Sequence, residues 1–514
     1  MIQRDGAMIS LWQGNIFAFT PQSKVDPRLV YDVIIVGGGI TGISTALSLQ
    51  EAGKKCLVLE KEIPGFGTTG GTTAHLNTLL DTPYTTIQKN FSEDDAKLTA
   101  KAAQEALRLI HERVNRFAIP CAYKEQQAFL YAQNEEQEKE LAEIAKASEA
   151  AGIDLTYTTE IPFPIPFTKA IQVNGQASFS PLHYLYGIAE AFEKAGGTIV
   201  EHCRVTGVEE TEPLKITTDA GTFKARDLIY ATHIPPGVNL LHLRCMPYRS
   251  YAMAVTLQDD EYPDGLSYDM VDPYHYFRCQ EINGKKYLIA GGKDHKTGHE
   301  ENTRHLFETL EAVVQRYFNV KEIAYRWSSQ YYEPADGLPY IGHLPGHPQN
   351  IYVATGFGGN GMTYSNVAAI TLTGLLTGRD DRYAKLFNPN RLKPVAGFVN
   401  FIQHNADVVK QFAGKIFSGE KISGWSALAR DEAKLIKEEG QKIALYKDDK
   451  GILHGVNPSC THLHCDVNWN NAEQSWDCPC HGARYSMDGK VLTGPADRDL
   501  EKIALENPGN KKHP

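Results

Sequence analysis

Residues 31–36 (YDVIIV) are almost wholly apolar, the pattern of a short strand buried on both faces. Glycines follow, and then Ile40, Ile43 and Leu47 repeat at helical spacing as far as Gly53. A second apolar run, KCLVLEK, ends at Glu60–Lys61, so the three segments predict a βαβ unit. Helices are predicted over about 92–117, where Ser92 and Asp95 form a capping-box pattern, and 134–151, which stops at Gly152. Ser180-Pro181 opens another helix, closed by Gly196-Gly197. Strand-like segments at 214–231, 248–258, 274–279 and 286–291 mix with a helix at 301–318 in an α+β region. A strand at 351–355 leads to a glycine cluster and a helix at about 362–377. Segment 379–424 is more polar, with breaks at Asn388-Pro389 and Lys393-Pro394. One helix is expected there, at 398–417. Phe398, Phe401, Ile402 and Phe412 make it a packed connector rather than a flexible linker. After Trp425 short strands and turns predict a small all-β domain.

At 514 residues, with 42% hydrophobic and 22% charged positions, the chain has globular composition and room for about three structural units. That excludes disordered, collagen-like and coiled-coil architectures. A net charge of -10 argues against nucleic acid as a partner. No apolar stretch is long enough for a membrane span, and MIQRDGAMISLWQG lacks a signal-peptide core, so the expected compartment is the cytoplasm. Nine cysteines are too few for a disulfide scaffold. Cys460, Cys465, Cys478 and Cys480 cluster near the C-terminus, however, as metal ligands do.

Gly37, Gly39 and Gly42 form G-x-G-x-x-G between a strand and a helix. The first allows the tight turn, the second lets a pyrophosphate approach the backbone, and the third lets the helix pack on the strand. The helix N-terminus, with Ile40 and Thr41, offers N–H donors to phosphate. Glu60 ends the second strand, where a carboxylate takes ribose hydroxyls, with Lys61 beside it. The same spacing recurs at Gly65, Gly67, Gly70, but after a proline rather than a strand. It recurs again at Gly356, Gly358, Gly361, but no second strand with a terminal acid follows. No second site for NAD(P)H is therefore expected.

VIIVGGGITGISTALSL, LEK, TTGGTTAH, IYATHIPP, DGLPYIG and YVATGFGGNGMTYS occur in the order found in the D-amino-acid oxidase/sarcosine oxidase (DAO) group of FAD oxidoreductases, which the chain resembles over about residues 30–395. The resemblance implies FAD, with Gly37–Gly42 at its pyrophosphate and Glu60 at its adenosine ribose. It sets Gly71, Thr72, Thr73 and Ala74 beside the flavin, Val205 at the adenine and Thr232 within the cofactor-binding set. It makes Gly358, Gly361 and Met362 part of a backbone cradle for the pyrimidine edge. His75 stands where some members tether the flavin covalently, although Ala74 replaces their Trp; a covalent bond and a polar contact both remain open. The implied fold is a Rossmann-like α/β FAD-binding domain (about 30–85, 150–235 and 330–378) with an α+β substrate part (about 86–149 and 236–329). Residues 1–29 are read as an extension and 396–423 as the connector.

Cys460-x-His462 and Cys478-x2-His481 give C-x-H-x15-C-x2-H, which resembles a Rieske 2Fe-2S domain over 424–514. A zinc site is the alternative, but zinc fingers pair Cys with Cys and His with His. The resemblance makes Cys460, His462, Cys478 and His481 the cluster ligands and pairs Cys465 with Cys480 as a disulfide. It reads Gly494-Pro495-Ala496 as the loop covering the cluster. His464 stands where Gly is usual, and Ala483 where a Ser often donates to the cluster, while Tyr485 keeps the aromatic donor. One donor fewer predicts a potential below that of respiratory Rieske proteins and above that of plant-type ferredoxins.

Joined, these halves predict an FAD-dependent oxidoreductase that oxidises a small amine or amino-acid-like substrate, at C–N more than C–O. Electrons would pass singly through the cluster to an external acceptor: a ferredoxin-like protein, a quinone or O2. Two alternatives are a reductase feeding a partner oxygenase, and an O2-using oxidase with a structural or sensing cluster. In PYHYFR, alternation puts Tyr274, Tyr276 and Arg278 on one face, and Arg249 and Arg278 are candidate carboxylate clamps. Lys293, Asp294 and His295 follow a strand and make a candidate polar wall.

Overall fold

The computed structural model describes residues 6–379, 382–391, 428–438 and 440–505. The connector helix expected at 398–417 lies outside the described residues. The βαβ unit is Val30–Val36, Ile40–Glu51 and Cys56–Leu59. Val30–Val36 is central in an eight-stranded sheet, parallel to Cys56–Leu59 on one side and Gly221–Tyr230 on the other. Thr198–Val200 and Ile351–Thr355 extend it in parallel, and Tyr340–His343 closes one edge antiparallel. Both faces are covered, which is why the central strand is apolar at nearly every position. Helices Glu93–Arg116 and Glu135–Ala151 start at Ser92 and Asn134, whose side chains accept from the backbone N–H of Asp95 and Gln137. Gly152 ends the second helix in the left-handed region, φ 93°.

The second sheet has nine strands. Cys245–Leu257 lies between Val320–Pro334 and Lys285–Lys296, followed by Tyr276–Ile282, Leu266–Tyr268, Lys124–Ala132, Lys169–Ser178 and His75–Leu76. Segment 67–76 thus runs from the first sheet into the edge of the second, and the space between the sheets becomes the cavity described below. At the C-terminus a three-stranded sheet (Glu432–Glu438, Gln441–Lys447, Leu453–Val456) accompanies a four-stranded one (Asn468–Asn470, Ser475–Asp477, Arg484–Ser486, Val491–Thr493). Within the latter, buried Arg484 pairs with Asp477 at 3.0 Å. Leu11 and Trp12 are buried in the main core, and Trp12 Nε1 donates to the Thr72 carbonyl at 2.6 Å. Among the described residues no helix is long and apolar enough to cross a membrane.

Candidate active site

The glycine turn is built for close approach. Gly37 has φ 112°, and a Cβ there would meet the Ala231 carbonyl oxygen at 2.5 Å; a Cβ on Gly42 would lie 1.9 Å from the Gly37 oxygen. A side chain at either position would block the turn or push the helix off the strand. Glu60 lies beside the turn, its Oε2 accepting from Gly38 N at 2.6 Å and its Oε1 from Glu62 N at 2.9 Å. From there a cavity of about 330 Å³ runs along Gly37, Gly39, Ile40 and Thr41, past Gly71, Thr72 and Thr73, to Gly358, Gly361 and Met362. Helix Gly361–Thr377 begins at its far end and offers unpaired N–H groups and a positive dipole end. Lys61, Val205 and Thr232 line the near end.

The far end is polar and aromatic. His75 Nδ1 is 2.7 Å from the Tyr268 hydroxyl, its ring is edge-on to Tyr276 at 5.3 Å, and its Nε2 is buried without a partner. Burial first, then the Arg278 charge, hold its pKa well below the ordinary histidine value, so the ring is neutral. The Tyr274 hydroxyl donates to Asp81 at 3.2 Å, and Asp81 also accepts from Gly359 N at 2.6 Å. The Tyr331 hydroxyl donates to Asp294 Oδ2 at 2.8 Å, while Asp294 Oδ1 is buried without a partner. Burial pushes the Asp294 pKa up to about 6. Among the described residues the lysines and arginines lining the cavity are Lys61 and Arg204, both at the opposite end.

Beyond the near end sits the cysteine–histidine cluster. Cys465 and Cys480 form a disulfide with Cα atoms 6.5 Å apart. Their sulfurs crowd that of Cys478 within 4.8 Å, but a bonded pair offers no thiolate, so Cys478 and buried Cys460 are the available sulfur donors. The His462 and His481 rings are 5.0 Å apart. His462 Nε2 donates to the Gly237 carbonyl at 3.1 Å, leaving its buried Nδ1 unpartnered. The Tyr485 hydroxyl is 3.2 Å from Cys460 Sγ. His464 keeps the left-handed backbone, φ 58°, that favours glycine at this position, and Ala483 is fully buried. The histidines face the first domain, where the His242 ring lies 4.6 Å from His462 and 5.9 Å from His481. The Tyr332 hydroxyl is 3.3 Å from both the His481 and the Gly494 carbonyls.

Residues 32–375 match the family model described as FAD dependent oxidoreductase. The chain belongs to that family. Residues 421–504 match the Rieske [2Fe-2S] domain. A Bacillus subtilis (strain 168) protein named as the Rieske 2Fe-2S iron-sulfur protein YhfW is 34% identical, over 92% of this chain and 94% of its own. Gamma-glutamylputrescine oxidoreductase of Escherichia coli (strain K12) is 26% identical, over 74% of this chain and 91% of its own. The crystal structure of glycine oxidase from Geobacillus kaustophilus superimposes with a TM-score of 0.59 at 20% identity, over 70% of this chain and 99% of that one, which shows a shared fold. The FAD-dependent oxidoreductase thus carries a second cofactor module, and its cofactors are FAD and a 2Fe-2S cluster. The residues present fit both, on the side-chain-free glycine turn beside Glu60 and on the unpartnered Nδ1 of His462 next to two unbonded cysteines.

Three sequence expectations are corrected in this oxidoreductase. Arg249 does not reach the cavity; it is fully buried and pairs with Glu473 of the Rieske domain at 3.6 Å. Arg278 is equally buried: its Nε donates to the Thr73 carbonyl at 2.6 Å, Nη1 to Gln280 at 2.7 Å and Nη2 to the Phe179 carbonyl at 3.1 Å, with the Trp12 ring 5.2 Å away. Neither is placed to clamp a substrate carboxylate. Ala74 turns away at φ 57° and buries its methyl in the core. Gly42 has the helix-packing role that its place in the glycine motif predicts, and it does not itself line the cavity. Asp81 had no local signal, and its role depends on Tyr274, 193 residues on. The segment Val491–Asp497 of the Rieske domain, which also lines the cavity, could not be inferred from spacing at all.

Proposed function

We propose that this enzyme oxidises a C–N bond of a small cationic amine and that the electrons leave one at a time through the cluster to an external acceptor. The observation that carries the substrate half is the far end of the cavity. Asp81 and Asp294 stand there among Tyr268, Tyr274, Tyr276 and Tyr331, with both candidate arginines committed elsewhere. Carboxylates and tyrosine rings attract an ammonium group, whereas an amino-acid carboxylate would meet no counter-charge there. The name of the Escherichia coli relative, which acts on a putrescine derivative, supports an amine substrate.

Bound FAD supplies the two-electron oxidant, and the cluster, held by Cys460, His462, Cys478 and His481, supplies a one-electron exit. The chain's part is to bind, orient and deprotonate. Above pH 6 Asp294 is ionised and its Oδ1 can take a proton from the incoming ammonium, leaving the neutral amine that such oxidation requires. Neutral His75, braced by Tyr268, offers Nε2 as a hydrogen-bond partner without adding positive charge. Contacts from Gly237 to His462 and from Tyr332 to the His481 carbonyl fix the cluster site against the cavity wall, which supports transfer within one chain.

The test is anaerobic mixing of the holoprotein with amines, with the matching amino acids, or with NADH, watching flavin and cluster absorbance together. The reading expects amines to bleach the flavin first and the cluster to follow at a rate independent of protein concentration. Bleaching by NADH alone, or a flavin that reduces while the cluster stays oxidised, overturns it.

A further inference from the structure

The end of the cavity nearest Glu60 is not closed by the flavin domain. The Rieske segment Val491–Asp497 forms that wall, opposite Lys61, Arg204, Val205 and Thr232. Three polar ties hold the segment there. Lys61 Nζ donates to the Leu492 carbonyl at 2.6 Å, the Arg204 guanidinium donates to the Asp497 carbonyl, and the Tyr332 hydroxyl is 3.3 Å from the Gly494 carbonyl. On its other side the same segment belongs to the cluster module. Ala496 packs in one core with Cys460, Cys478 and Tyr485, and the Thr461 hydroxyl donates to the Arg498 carbonyl at 2.6 Å. One stretch of seven residues therefore stands between the cavity and the loops that carry the iron ligands.

The charges give this arrangement a chemical meaning. FAD carries a dianionic pyrophosphate, and Lys61 and Arg204 are the lysine and arginine side chains lining the cavity among the described residues. Both are oriented by carbonyl groups of the Rieske segment. We propose that Val491–Asp497 is a working wall of the FAD site, so that the cofactor is bound by both domains and its retention depends on the docked Rieske module. Undocking would remove the carbonyl groups that orient both cations, open the cavity to water and speed FAD release. Conversely, loss of FAD would loosen the segment.

Hydrogen exchange on the full chain, cluster intact, decides this by comparing FAD-loaded protein with protein stripped of FAD by dialysis against bromide. Exchange in a peptide covering 488–500 should slow about tenfold or more when FAD is added back, while strand Gln441–Lys447 stays unchanged. The second arm is Thr493→Trp, which fills the cavity from the Rieske side and alters no flavin-domain residue. It should raise the Kd for FAD about tenfold or more with the cluster spectrum retained. Unchanged exchange in 488–500 on adding FAD overturns the proposal, as does wild-type FAD affinity in a Thr493→Trp protein that keeps its cluster. Neither readout involves substrate, so the oxidation reading stands or falls separately.

Discussion

Glu473→Ala tests what locks the two modules together. Glu473 sits in the Rieske domain, but its carboxylate is shared by three parts of the chain. Oε1 accepts from Ser328 N at 2.9 Å and from the Ser328 hydroxyl, and lies 3.6 Å from Arg249 Nη1; Oε2 accepts from Ala7 N at 2.9 Å. The side chains of Arg249 and Glu473 have no exposed surface. Removing one member of a buried ion pair leaves the other charge uncompensated, at a cost of about 3–5 kcal/mol. For a urea slope of about 3 kcal/mol per molar, that loss moves the midpoint down by about 1–1.7 M. The assay is urea titration of the holoprotein, with cluster circular dichroism and flavin fluorescence read in parallel. Wild type should lose both signals together, and Glu473→Ala should lose them separately, because the shared carboxylate is what couples the modules. The double replacement Arg249→Met with Glu473→Leu removes both charges and should recover most of the loss, since apolar isosteres of buried pairs are commonly about neutral. A midpoint shift below about 0.3 M for Glu473→Ala refutes the reasoning, and so does a double variant no more stable than the single one.

Glu60→Ala should weaken FAD binding at least about tenfold, because the ribose would lose its carboxylate partner and Gly38 N its acceptor; full flavin occupancy after exhaustive dialysis counts against it. Asp294 is protonated below about pH 6, which removes its attraction for an ammonium, so kcat/KM for a cationic amine should fall about tenfold per pH unit below 6. Asp294→Asn should abolish that acid limb, and an identical limb in the variant assigns it elsewhere. His462→Ala should eliminate the Rieske spectrum, whereas Cys465→Ser, which breaks the disulfide but spares the four ligands, should keep the iron in a more labile state. Two irons per chain with an intact Rieske spectrum in the His462 variant would show that the ligand set is wrong.

What the sequence discloses here is set by the reach of each signal. The βαβ unit reads directly because its requirements are local: a fully buried strand, a turn that admits no Cβ at Gly37 or Gly42, and a carboxylate at the next strand end. Caps at Ser92 and Asn134 and the two cysteine–histidine arms are equally local, spanning a few residues each. The arginines show where such reasoning ends. Alternation correctly places Tyr274 and Tyr276 on the cavity and puts Arg278 on the same side, yet two residues along the strand that side is covered by loop 72–75 and Trp12, which take the guanidinium. Arg249 meets Glu473, 224 positions later, across a junction that no periodicity encodes. A buried arginine has the same side chain whether it clamps a substrate or a neighbouring domain; which it does is decided by the partner that distant chain delivers. The same holds for the acids. Asp294 reads in sequence as part of a polar wall and Asp81 carries no local signal, and the partners that fix their place in the cavity, Tyr331 and Tyr274, are delivered by distant parts of the chain. Residues whose task is fixed by backbone geometry are therefore legible early. Those whose task is fixed by an electrostatic partner need the fold, and in this chain they determine both the substrate reading and the coupling of the two domains.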